Sequence, residues 1–561
     1  MPGSVASDYS GSVASDVPIN RKHNTGPGLA SELEAASHND SPAQPDAVSG
    51  HAETGDETDH DHVNSIAAAG HAHFRRLGWR RLAIVTIVEA VALGALSLPG
   101  AYHTLGMVAG VVLTISLGCV AIFTSYIIGQ VKLAHPDVSN YADAGRLLFG
   151  RVGYEVFGIA LVCELILVVG SHALTGSIAL IDIVGDHICS IVFSAISAVI
   201  LLLLAIPPSF TEVALLGYID FVSIIAAIGI TVIATGIQAG NSPGGVGSVD
   251  WSAWPKEDLH FTEAFVAVSN IIFAFSFAIG QFSFMDEMHT PTDYMKSIWA
   301  SGFIQMAIYT LTGALCYAFI GSSVQSPALL SAGPLVSRIA FGVALPVIFI
   351  SGSINSTIAL RYVHGRLFAK SLLRYINTPK GWATWIGLVS IFTAIAWVIA
   401  ESIPIFSDLL SLASALFVSG FSFWVPAVMW FVLLRSGKWS SRTNVVMGLG
   451  CALAFVIGVS TLVIGSYATI RDIVSESCLF LQHAGSGSDC LGFRSPLLRA
   501  ARHISLLPVD LRSSSKTLLE ATWNLRTTSC SIDPRTTNRS FFFCRRIRSA
   551  NSPDTLFSRI S

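Results

Sequence analysis

Hydrophobic residues in this chain come in blocks of about 20, separated by short polar stretches, from Arg80 to about residue 470. A helix rising 1.5 Å per residue needs about that length to cross the roughly 30 Å hydrocarbon core of a bilayer. Eleven spans are predicted, at 80–101, 107–131, 153–180, 188–206, 212–238, 262–285, 297–320, 335–359, 384–402, 406–434 and 444–470. They define a transmembrane domain over 76–474, and its first apolar block must serve as the insertion signal. Both ends lack the pattern. Residues 1–75 are rich in Ser, Gly, Asp and His with almost no aromatic residues, so they bury too little surface to offset ordering entropy, and a disordered cytosolic tail is predicted. His51, His60, His62, His71 and His73 in that tail read as part of a solvated polar tract, with metal binding as the alternative. Residues 475–561 have many Ser and Arg, a single Lys and no apolar periodicity. They read as an irregular C-terminal tail, of the kind that intron read-through or a shifted frame in the gene model would append. An extracytoplasmic tail cross-linked through Cys478, Cys490, Cys530 and Cys544 is the alternative.

Composition sharpens the class. Hydrophobic residues are 52% of the chain and charged ones 12%, against about 25% charged in a soluble domain. The net charge of -3 offers nothing to nucleic acid, whereas the placement of Lys and Arg among the loops is informative. With the N-terminus inside, the inner segments hold Arg75, Arg76, Arg80, Arg81, Lys132, Arg146, Arg151, Lys296, Arg361, Arg366, Lys370, Arg374, Lys380, Arg435, Lys438 and Arg442, and the outer loops only Lys256 and Arg338. This excess supports both the number of spans and their orientation. Cys119, Cys163, Cys189, Cys316 and Cys451 lie inside apolar blocks and read as small buried hydrophobes.

Chemistry concentrates in two spans. The first runs from Glu89 through Gly94, Ala95, Leu96 and Ser97 to Pro99-Gly100, and a Pro in mid-membrane frees a backbone carbonyl that must be satisfied by protein or a wet cavity. The sixth carries a small polar interruption, Ser276 to Gly280-Gln281, in an aromatic-rich run. Paired interruptions at matching places in two halves are the sequence mark of a secondary transporter's binding site, and a kink that merely helps packing is the alternative for either alone. Because the two stand five places apart in the order of spans, an odd step, the halves are predicted to be inverted. The N–H ends of broken helices suit a carboxylate and the carbonyl ends an ammonium, and an amino acid carries both. The substrate-binding candidates are therefore Gly94, Ala95, Leu96, Ser97, Ser276, Gly280 and Gln281.

Ionisable residues within spans are few: Glu89, Glu164, His172 and Asp220. Each is costly in hydrocarbon and a functional candidate by default, structural pairing being the alternative. Glu89 lies about 7.5 Å along a helix from Gly94, and His172 has an ordinary pKa near neutrality, so these two are the proton-coupling candidates.

The run from Glu89 to Pro99 followed by Gly106 resembles the first-helix signature of the amino acid/auxin permease family, with Ala92 where many members have Gly. Gly170-Ser171-His172-Ala173-Leu174-Thr175 resembles a third-helix feature of its fungal neutral amino-acid permeases, and Asp286-Glu287-Met288-His289-Thr290-Pro291 with Tyr294-Met295-Lys296-Ser297 resembles the sixth-helix exit. The resemblance covers about 75–474. It implies an all-α membrane protein of about 11 transmembrane helices, a LeuT-type 5+5 inverted repeat plus one helix. It implies symport of neutral aliphatic and aromatic amino acids by alternating access, at a plasma membrane or alternatively a vacuolar one. No cofactor is implied. The coupling ion is H+, or alternatively Na+ at Asn355, Ser356 and Thr357, where relatives of this fold hold a cation. The same three residues match a glycosylation sequon, which membrane burial argues against.

Other classes fit less well. Seven spans suit many receptors and eleven do not, and a channel would more often show a ring-forming filter than inverted halves. No GxxxxGK[ST] stretch serves a nucleotide-driven pump, and no HExxH or GxSxG an enzyme.

Overall fold

The computed structural model describes residues 77–483 apart from 186, 187, 209, 370, 372 and 374–377, with backbone alone at 210–216 and 476–483. The N-terminal tail with its histidines, the cations Arg75, Arg76, Lys370 and Arg374, and Cys490, Cys530 and Cys544 lie outside the described residues.

The described chain is helical: α1 (Trp79–Leu105), α2 (Met107–Ala134), α3 (Tyr141–Val184), α4 (Ser190–Leu204), α5 (Phe210–Asn241), α6 (Phe261–Ala274), α7 (Gln281–Asp286), α8 (Tyr294–Ile320), α9 (Pro334–Leu367), α10 (Pro379–Ser402), α11 (Phe406–Leu434), α12 (Arg442–Ser460) and α13 (Ser466–His483). Among the described residues, 9 helical stretches are long and apolar enough to cross a membrane. Two shorter apolar helices, α4 and α6, fall where the remaining two predicted spans lie. α12 and α13 run on through a π turn as one span.

Several ends differ from the sequence expectation, each for a local reason. α3 begins at Tyr141, where the Asn140 side chain accepts the backbone N–H groups of Ala142 and Asp143 and caps the start. It kinks at Phe149-Gly150, and Gly150 at φ 65 occupies a conformation that side chains resist. The predicted span from 153 is thus only the membrane-crossing part. α13 continues past Val474 to His483, so the beginning of the segment expected to be irregular is helical; no Gly or Pro interrupts the chain before Gly485.

Burial orders the bundle. In α1, 94% of the apolar window is buried, against 22% for Arg442–Ser475, so α1 is the central helix and the last span lies at the periphery. α1 packs on α5, α6, α8 and α9. Spans five apart in sequence touch: α1 with α6, α2 with α8, α3 with α9 and α4 with α10. Symmetry mates meeting across a pseudo-two-fold axis give this pattern, which is the 5+5 arrangement of the halves.

Candidate functional site

The two spans expected to be broken behave differently. α1 is one continuous helix that simply includes Pro99, which corrects the expectation of an unwound first span. Pro99 still removes the N–H that would bond the Ala95 carbonyl, but one missing bond in a helix buried on nearly all sides does not unwind it. The sixth span is broken where the sequence placed the interruption. α6 ends at Ala274, Phe275 leaves helical geometry at φ -103 and ψ 35, a tight turn covers Ser276–Ala278, and α7 begins at Gln281.

Gly94 is what lets the continuous helix approach the broken one. A Cβ there would sit 2.9 Å from the Ala274 Cα and 3.1 Å from the Tyr309 hydroxyl, so a larger residue would push the two spans apart. Ala95, Leu96 and Ser97 are buried on α1, and the Ser97 hydroxyl turns back to the Gly94 carbonyl at 3.0 Å. Ser276 is buried in the turn and its carbonyl accepts the Ile279 N–H at 3.0 Å. Gln281 donates to the Ser125 carbonyl on α2 at 2.8 Å, and its amide oxygen has no partner among the described residues. A pocket beside α7 is lined by Thr86, Phe277, Gln281, Tyr294, Ser297 and Ser301 among others. It reaches Gln281 and none of the residues from Gly94 to Ser97.

A residue that the sequence reading missed bridges the backbone of Glu89 and the ring of His172, without reaching the Glu89 carboxyl. Ser351 on α9 donates to the Glu89 carbonyl at 2.9 Å, and its hydroxyl lies 3.3 Å from His172 Nε2 on α3. Glu164, on α3, is fully buried, and neither of its carboxyl oxygens has a hydrogen-bond partner among the described residues. Asp220, on α5, is buried, and neither carboxyl oxygen is hydrogen-bonded among the described residues. Asn355, Ser356 and Thr357 sit inside α9, and their side chains donate to the carbonyls of Ser351, Gly352 and Ser353 at 3.1, 3.0 and 2.9 Å. Donation to their own helix leaves the hydroxyl lone pairs and the Asn355 amide oxygen as acceptors, and the latter is buried without a partner among the described residues.

Residues outside the candidate set hold the break in place. Tyr141 is fully buried, its hydroxyl donates to the Phe421 carbonyl at 2.7 Å, and its ring meets Phe282 and Phe421 at 5.1 and 4.6 Å. At the exit of the sixth span, Asp286 pairs with Lys132 at 2.8 Å and Glu287 with Arg361. Leu77 forms a bridge with Met288, accepting from the His289 N–H at 3.1 Å and donating to the Glu287 carbonyl at 2.9 Å. The start of α1 and the end of the sixth span are thereby tied at one end of the bundle. The only local signals for these residues were a polar Tyr near an apolar block and an acidic pair after one; their partners come from distant parts of the chain.

The break of the sixth span, packed against Gly94 of the continuous central helix, is the candidate site. The family described as transmembrane amino acid transporter protein matches residues 75–471. The chain belongs to that family. Over 412 residues it is 58% identical to a Neurospora crassa protein named "N amino acid transport system protein", covering 73% of this chain and 88% of that protein. A "Transmembrane transporter" of Gibberella moniliformis is 26% identical over 417 residues, 74% of this chain and 86% of that protein. Among solved structures, Mhp1, a nucleobase-cation-symport-1 family transporter in a closed conformation with bromovinylhydantoin bound, is similar at 14% identity and a TM-score of 0.44, covering 72% of this chain and 94% of that chain. As a member of the family the chain is a multi-pass membrane protein, and its substrate site is to be sought among these buried helices.

Proposed function

We propose that this chain is a proton-coupled symporter of neutral aliphatic and aromatic amino acids, working by alternating access at the plasma membrane. The observation that carries the reading is the break between Ala274 and Gln281, pressed against Gly94 of the central helix. Backbone groups freed at a break offer a carbonyl end for an ammonium and an N–H end for a carboxylate, and the apolar and aromatic wall around Phe275 and Phe277 suits an uncharged side chain. The name of the Neurospora relative supports the amino-acid class. Glu89, a buried carboxyl on the central helix, is the proposed proton carrier, because a proton shifts the balance of inward- and outward-facing states only if the two bind it differently. Sodium is the second reading, favoured by the buried and unpartnered amide oxygen of Asn355.

Uptake of radiolabelled phenylalanine by intact cells against uptake by isolated vacuoles tests the reading. Accumulation by intact cells that collapses with a protonophore and ignores sodium is the expected result. Uptake confined to vacuoles moves the protein to that membrane, and sodium-dependent uptake that ignores the protonophore replaces the proton.

A further inference from the structure

The cations on the segments expected to face inward are used in two ways. Lys132, Arg146, Lys296, Arg361 and Arg366 pair with Asp286, Asp143, Asp293, Glu287 and Glu155 in turn, so their charge is spent within the protein. The turn between α11 and α12 differs. It carries Arg435, Lys438 and Arg442, and no Asp or Glu occurs from residue 409 to residue 471. Among the described residues, none of the three cations pairs with an acid, and Lys438 and Arg442 are exposed.

Like charges so close in sequence repel one another, yet the turn that holds them is built. The Arg435 N–H bonds the Trp430 carbonyl at 2.9 Å, and Gly437 takes φ 77, where a side chain would be strained. The Asn444 side chain donates to the carbonyls of Ser436 and Lys438 at 2.8 and 3.0 Å and closes the turn onto α12. The Arg435 guanidinium stands 4.0 Å from the centre of the Trp439 ring, which is itself 56% exposed. Val432, Val445, Val446 and Leu449, close by in sequence, are all more than half exposed. A free anion would use only the charges of such a surface. A phospholipid uses the charges, the apolar flanks and a tryptophan at headgroup level together.

We propose that the turn from Arg435 to Arg442 is a binding site for the headgroup of an anionic phospholipid, held by Lys438 and Arg442 beside Trp439, with the acyl chains against the exposed valines and Leu449. The site is independent of the substrate and of the coupling ion. Each Lys or Arg near an anionic surface strengthens the attraction about fivefold, an effect that salt screens.

The test uses the full-length chain in phosphatidylcholine vesicles that contain a fixed fraction of either brominated phosphatidylserine or brominated phosphatidylcholine, since bromine quenches a neighbouring tryptophan. Emission from Trp439 is taken as the difference between the chain and its Trp439→Phe variant. Brominated phosphatidylserine should quench that emission at a fraction at least tenfold lower than brominated phosphatidylcholine does. Lys438→Gln should reduce the preference about fivefold, and Lys438→Gln with Arg442→Gln should bring it close to parity. Equal quenching by the two lipids in the unaltered chain, or an undiminished preference in the double variant, overturns the site. Inorganic phosphate that abolishes the preference where sodium chloride of equal ionic strength does not would make the ligand a free anion and overturn the lipid. Should the double variant fail to fold, Lys438→Arg with Arg442→Lys decides: it conserves charge, so a retained preference supports the site and a lost one overturns it.

Discussion

The first and sixth spans occupy matching places in the two halves, yet one is a continuous helix and the other is broken. α1 contains Gly94, Pro99 and Gly100, the residues that most often interrupt a helix, and remains helical from Trp79 to Leu105. The sixth span has no proline between Phe261 and Asp286, and it departs from helix among Phe275, Ser276 and Phe277. The difference shows where each helix gets its support. α1 is surrounded by α5, α6, α8 and α9, so packing holds its backbone despite one lost hydrogen bond. At the break, buried Phe273, Phe275, Phe277, Phe282 and Phe284 each find a place in the core, and Tyr141 and Gln281 tie the far side to α11 and α2. Tertiary burial there outweighs the few hydrogen bonds that a regular helix would have kept.

The largest expected effect of breaking this relation comes from Gly94→Val. Its new side chain would begin 2.9 Å from the Ala274 backbone, a contact that only a shift of one span relieves. Overpacking of this kind costs about 1–3 kcal/mol, which if levied on the transporting geometry alone lowers uptake by roughly 5- to 150-fold. Insertion depends on hydrophobicity and should be unaffected, so surface abundance and uptake are measured together; wild-type uptake at normal abundance would show that the two spans need not touch.

Pro99→Ala should have the smallest effect. The substitution returns an N–H to the Ala95 carbonyl in a helix that is already continuous, so uptake should stay within about threefold, or roughly 0.65 kcal/mol. A larger loss would mean that a proline-made distortion of α1 is itself part of the cycle.

The two spans also show how far the sequence could be read. The apolar blocks located the helices because each needs only its own residues to be recognised, and the break in the sixth span was marked by Ser276, Gly280 and Gln281. The state of α1 was misread because Pro99 is a local signal and the support that overrides it comes from four other helices. Glu89 and His172 stood out as ionisable residues in apolar runs, but nothing near them in sequence points to Ser351, which lies 262 residues from Glu89 and 179 from His172. Tyr141 was hidden for a similar reason: it lies in a short segment before the kink at Gly150, outside any apolar block, and its partner Phe421 lies 280 residues on.

The central claim is that the break of the sixth span cradles the substrate. Ser276→Cys, labelled with a small thiol reagent in membranes and corrected for the native cysteines of the parent chain, tests it most directly. The account predicts that phenylalanine slows labelling at this position in proportion to its occupancy, while a charged amino acid that is not transported leaves the rate unchanged. Labelling that proceeds at the same rate with saturating phenylalanine, in a variant that still transports it, would place the substrate elsewhere and contradict the account.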